Sequence, residues 1–201
     1  MKDLANEYGR SINWVRAKIE AAKTLPKKVE ADGYVFVADC TFFGRAYGFL
    51  VFRAMEIKKN VYVRSLMYES TAEYQRGRIT IQKQGFKFKA IVLDGRPGVR
   101  NLFSDIPVQM CHFHQKQIIQ RYLTLHPKLE AGIELKAIVD TLTETTEKEF
   151  TAKFTGWCAK WETFLKERTV NPTTKRWSYT HKRVRSARHS LKNNLPFLFT
   201  Y

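Results

Sequence analysis

Five strand-like runs follow one another between Tyr34 and Met110, and the connections between them leave few ways to build a sheet. Residues 34–39, 47–55 ("YGFLVFRAM") and 60–68 ("NVYVRSLMY") are rich in β-branched and aromatic side chains, as strands are. The first run turns around Gly44 and the second through "EIKKN". Loops this short join antiparallel neighbours. The next two runs, 86–93 ("FKFKAIVL") and 107–110 ("PVQM"), each follow a helical segment. One such segment is 71–84, with Ser70 or Thr71 as its cap and Gly85 as its stop. The other is a short turn and helix after Asp94-Gly95. A strand reached through a helical crossover lies parallel to a neighbour. The order therefore predicts an α/β fold with a mixed five-stranded sheet flanked by helices.

The segments on either side read as helical. In "LANEYGRSINWVRAKIEAAK", Leu4, Ala5 and Tyr8 share one face, Gly9 breaks the run, and Ser11 can cap a second helix. Trp14, Val15 and Ile19 would line the inner face of that helix. Two short helices about a glycine resemble a helix-turn-helix, whose second helix would expose Asn13, Arg16 and Lys18 to DNA. An ordinary amphipathic hairpin is the plainer alternative. Everything from Leu129 on has helical character, including "LEAGIELKAIVDTL" and "EKEFTAKFTGWCAKWETFLKER". The expected organisation is a helix-turn-helix-like segment at 1–24, a linker at 25–33, a core at 34–127, a helical insertion at 128–170 and a basic helical segment at 171–201.

Charge narrows the partner. Lys and Arg number 35 against 19 Asp and Glu, a net charge of +16, which points to a polyanion and most simply to nucleic acid. The excess is uneven, because no acidic residue occurs between Arg168 and Tyr201. On a helix Lys182, Arg185 and His189 fall on one side with Arg188 beside them, while Val184, Ala187 and Leu191 would pack. Lys182, Arg183, Arg185, Arg188 and Lys192 are thus candidate phosphate contacts. No apolar stretch approaches the roughly 18 residues of a membrane span, so no membrane partner is expected. Three cysteines make a poor disulfide framework, and the opening residues lack the apolar core of a secretory signal. A cytoplasmic protein is expected.

Chemistry is suggested by two aspartates. Asp39 and Asp94 each directly follow an apolar strand-like run. If those strands are parallel neighbours, both carboxylates emerge at one sheet edge. There they repel unless a proton or a cation lies between them. Hard oxygen ligands of this kind suit Mg²⁺ or Mn²⁺. Taken singly, Asp94 in an Asp-Gly pair reads as a turn residue.

"VADCTFF", "IVLDGRPGV" and "MCHFHQKQIIQRYL", in this order, resemble bacterial insertion-sequence DDE transposases of the mutator-like branch. Their pattern is Asp, Asp, Cys-x-x-His, then Glu. The tail "RWSYTHKRVRSARHSLKNNLPFLFTY" resembles the segment before the final acidic motif. The resemblance runs from about Tyr34 to Tyr201. It implies a ribonuclease H-like fold, Asp39 and Asp94 as metal-binding catalytic carboxylates, and Mg²⁺ or Mn²⁺ as cofactor. It also implies double-stranded DNA as substrate at element ends and target, and a homo-oligomer assembled on it.

Cys111 and His114 match the Cys-x-x-His. Two ligands do not close a zinc site, so a structural or substrate-positioning role is favoured for them. The chain departs from the pattern at the third acid. None of Glu130, Glu134, Glu144, Glu147, Glu149, Glu162 and Glu167 stands in the matching context. The expectation is a partial chain with two of three acids, inactive by itself. A non-catalytic DNA-binding fragment or regulator and another ribonuclease H-like nuclease remain the rival readings.

Overall fold

The computed structural model describes residues 1–21, 32–44 and 47–200. The chain forms two compact units, Met1–Val108 and Gln109–Tyr201. Most of the linker expected at 25–33 lies outside the described residues.

The first unit opens with α1 (Lys2–Glu7) and α2 (Ile12–Ala21), which are separated at Gly9 with its φ of +58°. The Ser11 hydroxyl accepts from Trp14 N at 3.1 Å, the N-cap expected of it. Burial on this hairpin is narrower than the apolar pattern implies. Ala5 and Val15 are buried, whereas Leu4, Tyr8 and Trp14 are exposed.

The strands β1 (Tyr34–Phe43), β2 (Tyr47–Ala54) and β3 (Lys59–Leu66) form an antiparallel meander. After α3 (Thr71–Lys83), β4 (Phe88–Leu93) pairs parallel with β1. A short α4 (Pro97–Asn101) leads to β5 (Val108–Met110), which spans the boundary between the units. The strand order is β3-β2-β1-β4-β5. This is the mixed five-stranded, ribonuclease H-like sheet that the connection lengths and the resemblance called for.

One boundary needs correcting. Asp39 does not end its strand: β1 continues to Phe43, because Cys40, Thr41, Phe42 and Phe43 find partners in Leu50, Phe49, Gly48 and Tyr47. A polar residue after an apolar run looks like an end, but the cross-strand ladder decides where a strand stops.

The core of this unit is aromatic. Phe36, Phe52, Tyr74, Phe86 and Phe103 are buried with Leu50, Ile81, Ile91 and Leu93. The helix α3 turns Tyr74, Gly77 and Ile81 inward, the i, i+3, i+7 spacing of a helix face on a core. Gly77 allows close approach: a Cβ there would lie 2.6 Å from the Phe52 ring.

The second unit holds α5 (His112–Leu123), α6 (Glu130–Asp140), α7 (Glu147–Lys160), α8 (Glu162–Lys166) and α9 (Lys182–Asn194). Its core gathers Leu135, Phe150, Trp157, Leu165, Ala187 and Leu191. As the spacing predicts, α9 buries Val184, Ala187 and Leu191. The helical reading of everything after Leu129 fails at one place. Arg168–Val170 (β6) and Trp177–Tyr179 (β7) form an antiparallel hairpin. Three-residue strands carry too little periodicity to be read, and the hairpin is held by pairing and by its turn. There the Asn171 side-chain carbonyl accepts from Thr173 N and Thr174 N, both at 2.9 Å. Among the described residues no helix is long and apolar enough to cross a membrane.

Candidate functional site

The parallel register aligns the two aspartates. Val35, Phe36 and Val37 of β1 stand opposite Ala90, Ile91 and Val92 of β4. Two residues beyond Val37 is Asp39, and two beyond Val92 is Asp94, so the two stand at one level on neighbouring parallel strands, where β4 ends and β1 runs on. Both are half-buried. Asp39 Oδ2 accepts from the Thr41 hydroxyl at 3.3 Å. Asp94 Oδ1 accepts from Arg96 N at 3.1 Å, a side-chain turn that fixes the carboxylate as the chain leaves β4.

A third acid joins them. Because β2 reverses β1 and β3 reverses β2, β3 runs with β1 and leaves the sheet at that same end. Glu69 lies three residues past it. Its Oε1 accepts from the buried Tyr74 hydroxyl at 2.9 Å, and its Oε2 pairs with Arg96 Nη1 at 2.7 Å. Arg96 therefore reaches Glu69 with its side chain and Asp94 with its backbone. Arg100, close by, donates to Gly95 O at 3.4 Å.

The electrostatics confirm a shared neighbourhood. Cys40 is pushed up to about 12, first by burial and then by the charges of Glu69, Asp39 and Asp94, with Arg96 opposing. Tyr74 is raised well above the phenol range by burial, then by Glu69 and the hydrogen bond to it, then by Asp94 and Cys40. Burial lowers Arg100, and Asp94 works against that. One thiol thus senses three carboxylates and a guanidinium.

This donor set can be weighed against a metal. Mg²⁺ commonly binds through one or two carboxylates and keeps several waters, and the level pair Asp39 and Asp94 offers hard oxygens of that kind. Glu69 is already engaged by Tyr74 and Arg96. Among the described residues no group of three or more His, Cys, Asp or Glu side chains could hold a metal ion. The fit is to a two-carboxylate, largely hydrated ion and not to a closed cage.

Cys111 and His114 lie in the second unit. Cys111 is the N-cap residue of α5, and its carbonyl accepts from Gln115 N at 3.0 Å. His114 is half-buried in the first turn, its ring edge-on to Phe113. The histidine between them is structural: His112 Nε2 and Gln109 Nε2 both meet Leu198 O, at 2.5 and 2.6 Å.

The basic candidates separate into exposed and committed groups. Asn13 and Lys18 are exposed, while Arg16 is half-buried with its guanidinium 5.5 Å from the Tyr47 ring centre. Lys182 and Lys192 are exposed. Arg183 donates to Tyr122 O and Arg121 O, both at 2.7 Å, closing the end of α5. Arg185 donates to Leu165 O and sits over the Tyr179 ring, its Cζ 3.4 Å from the ring centre. Arg188 Nε donates to Cys158 Sγ at 3.4 Å.

Glu69, Tyr74 and Arg100 have no motif that announces them, while Arg96 stands inside "IVLDGRPGV". The available signal was topological: a meander returns β3 to the direction of β1, so the loop after it arrives at the aspartate edge.

No family model matches the chain, and no curated protein matches it. Among solved structures it is similar to the HTLV-2 integrase catalytic core domain in complex with magnesium, in a dimeric form. The identity is 11%, the match covers 78% of this chain and 98% of that one, and the TM-score is 0.34.

Proposed function

We propose that this chain carries two of the three acids of a DDE-type transposase of a bacterial insertion sequence, whose chemistry is metal-dependent phosphodiester transfer on DNA. The observation that carries the reading is the level placement of Asp39 and Asp94 on adjacent parallel strands. The +16 charge of the chain and the ordered motifs "VADCTFF", "IVLDGRPGV" and "MCHFHQKQIIQRYL" support it. On this reading the substrate is double-stranded DNA at element ends and target. A homo-oligomer engages it, in the bacterial cytoplasm.

Asp39 and Asp94 would hold Mg²⁺ or Mn²⁺, which supplies activation of the attacking water or 3′-hydroxyl and charge neutralisation at the phosphate. The protein's own part is positional. Thr41 and the Arg96 amide orient the two carboxylates. The Tyr74 hydroxyl and the Arg96 side chain hold Glu69. Arg100 sets a half-buried cation in the field of Asp94. Direct attack needs no covalent protein–DNA link, so no Ser or Tyr nucleophile is required.

A non-catalytic DNA-binding protein is the second reading. It is favoured by the engagement of Glu69, which leaves two acids for a cation.

The test is melting temperature against Mn²⁺ concentration for wild type, Asp39→Asn and Asp94→Asn, beside a nicking assay on supercoiled DNA. At tenfold excess over Kd, metal should stabilise the wild type by about 1.4 kcal/mol, and each variant should lose the effect. Nicking that disappears with either substitution supports the transposase. Metal stabilisation without nicking supports the second reading. Stabilisation that survives both substitutions removes the site.

A further inference from the structure

A groove of about 490 Å³ opens in the second unit beside α9. Tyr122, Tyr179, Lys182, Arg185, Arg188 and His189 line it, and among the described residues no carboxylate does. Two acids that precede the α9 residues in sequence are occupied. Glu162, which senses the charge of Arg188, pairs with Lys166 at 2.6 Å, and Glu167 meets His181 at 2.8 Å. Three permanent cations facing one volume repel each other, and an anion in that volume relieves the repulsion. Two of the three are fixed in advance. Arg185 is held by Leu165 O and by the face of Tyr179, and Arg188 by Cys158. Cations already immobilised lose little conformational entropy when an anion arrives.

Tyr122 adds what a bare phosphate site would lack. The residue is 37% exposed and lines the groove. Arg183 pins its backbone by donating to Tyr122 O. An aromatic face beside a row of cations suits an unpaired nucleic-acid strand, whose bases stack on the ring while its phosphates meet the cations. A duplex keeps its bases stacked on one another. Along α9, Lys182 to His189 covers about 10 Å at roughly 1.5 Å per residue. A row of that length can track the backbone of one strand past more than one phosphate.

We infer that this groove binds an unpaired nucleic-acid strand, with a base on Tyr122 and phosphates on Lys182, Arg185 and Arg188. The inference rests on the reading of the chain as a nucleic-acid protein and adds a single-strand site to it.

The experiment measures binding of a fluorescently labelled 12-nucleotide oligothymidine, and of a 12-base-pair duplex, to the full chain in EDTA. Wild type, Tyr122→Ala, Tyr122→Phe, Lys182→Ala and Asp39→Asn are compared, and melting temperature verifies the fold of each. The strand should bind more tightly than the duplex. Tyr122→Ala should weaken strand binding about tenfold and leave duplex binding unchanged, and Tyr122→Phe should restore it. Lys182→Ala should flatten the slope of log affinity against log salt by about 0.7. Equal affinity for strand and duplex, or no effect of Tyr122→Ala, overturns the inference. So does inorganic pyrophosphate that displaces the oligothymidine as well as unlabelled oligothymidine does, which would mark an anion site only. The response of wild-type melting temperature to Mn²⁺ separates the two readings. Strand binding that persists where Mn²⁺ stabilises nothing keeps the groove and removes the metal chemistry. Mn²⁺ stabilisation without strand binding does the reverse.

Discussion

Gly77→Ala sets two physical effects against each other, and the structure decides between them. Gly77 is in the interior of α3, where replacing glycine by alanine gains about 1 kcal/mol in helix propensity. Propensity by itself therefore predicts a more stable protein. The new methyl would stand 2.6 Å from Phe52 Cε2, 3.2 Å from Phe52 Cζ and 3.1 Å from Tyr62 Cε1. Carbon atoms pack best at about 3.5–4.0 Å, so the nearest contact is roughly 1 Å too close. Phe52 has nowhere to go. It is fully buried, with the rings of Tyr62, Tyr74, Phe88 and Phe103 centred 5.7 to 6.5 Å away. Relief would require α3 to lift, and with it Tyr74, which holds Glu69. Overpacking of this kind costs about 1–3 kcal/mol, occasionally more. The net expectation is a loss of up to about 2 kcal/mol. Equilibrium urea unfolding by circular dichroism should show a lower midpoint at unchanged slope, and hydrogen exchange should place the loss in α3 and β2. Phe52→Leu added to Gly77→Ala should recover part of it, as a coupling of about 0.5–3 kcal/mol between touching residues. A midpoint that rises in Gly77→Ala would refute the packing argument.

The pH response of the acid cluster can be read at Cys40. With its thiol pushed up to about 12 by burial and by Glu69, Asp39 and Asp94, it should alkylate at pH 8 about a thousandfold more slowly than a thiol titrating near 9, because only the thiolate reacts. Mass mapping with iodoacetamide gives the rate. The sign for stability follows: the folded chain holds this proton longer than the unfolded chain. The contribution is whole below about pH 9 and lost as pH rises towards 12. Tyr74 adds to the same decline at higher pH. Melting temperature should fall over that window less steeply in Cys40→Ala. In the second unit, Thr146 caps α7 by accepting from Glu149 N at 3.3 Å while Glu149 reaches back to Thr146 N at 3.5 Å. Thr146→Ala should cost about 1 kcal/mol and hasten exchange at the first turn of α7.

What the amino-acid sequence determined is what depends on neighbours along the chain. Short connections at Gly44 and "EIKKN" forced a meander, and the helix at Thr71–Lys83 forced β4 to run with β1. Those two facts bring Asp39 and Asp94 level. Helical spacing likewise marked Val184, Ala187 and Leu191 as the packed side of α9. Tertiary structure decided the rest. The end of β1 moved past Asp39 because the ladder to β2 continued. The hairpin of β6 and β7 formed where strands of three residues have no readable period. Trp14 stayed exposed although its spacing marked it as interior. Arg183, Arg185 and Arg188, equivalent as charges in the sequence, acquired different duties according to the carbonyl, ring or thiol that each one met. Glu69 meets Arg96 across 27 residues and Tyr74 across five. Periodicity and loop length act locally and can be read from the chain. The pairing of a carboxylate with one guanidinium among many depends on distance in space, and only the folded sheet supplies that distance.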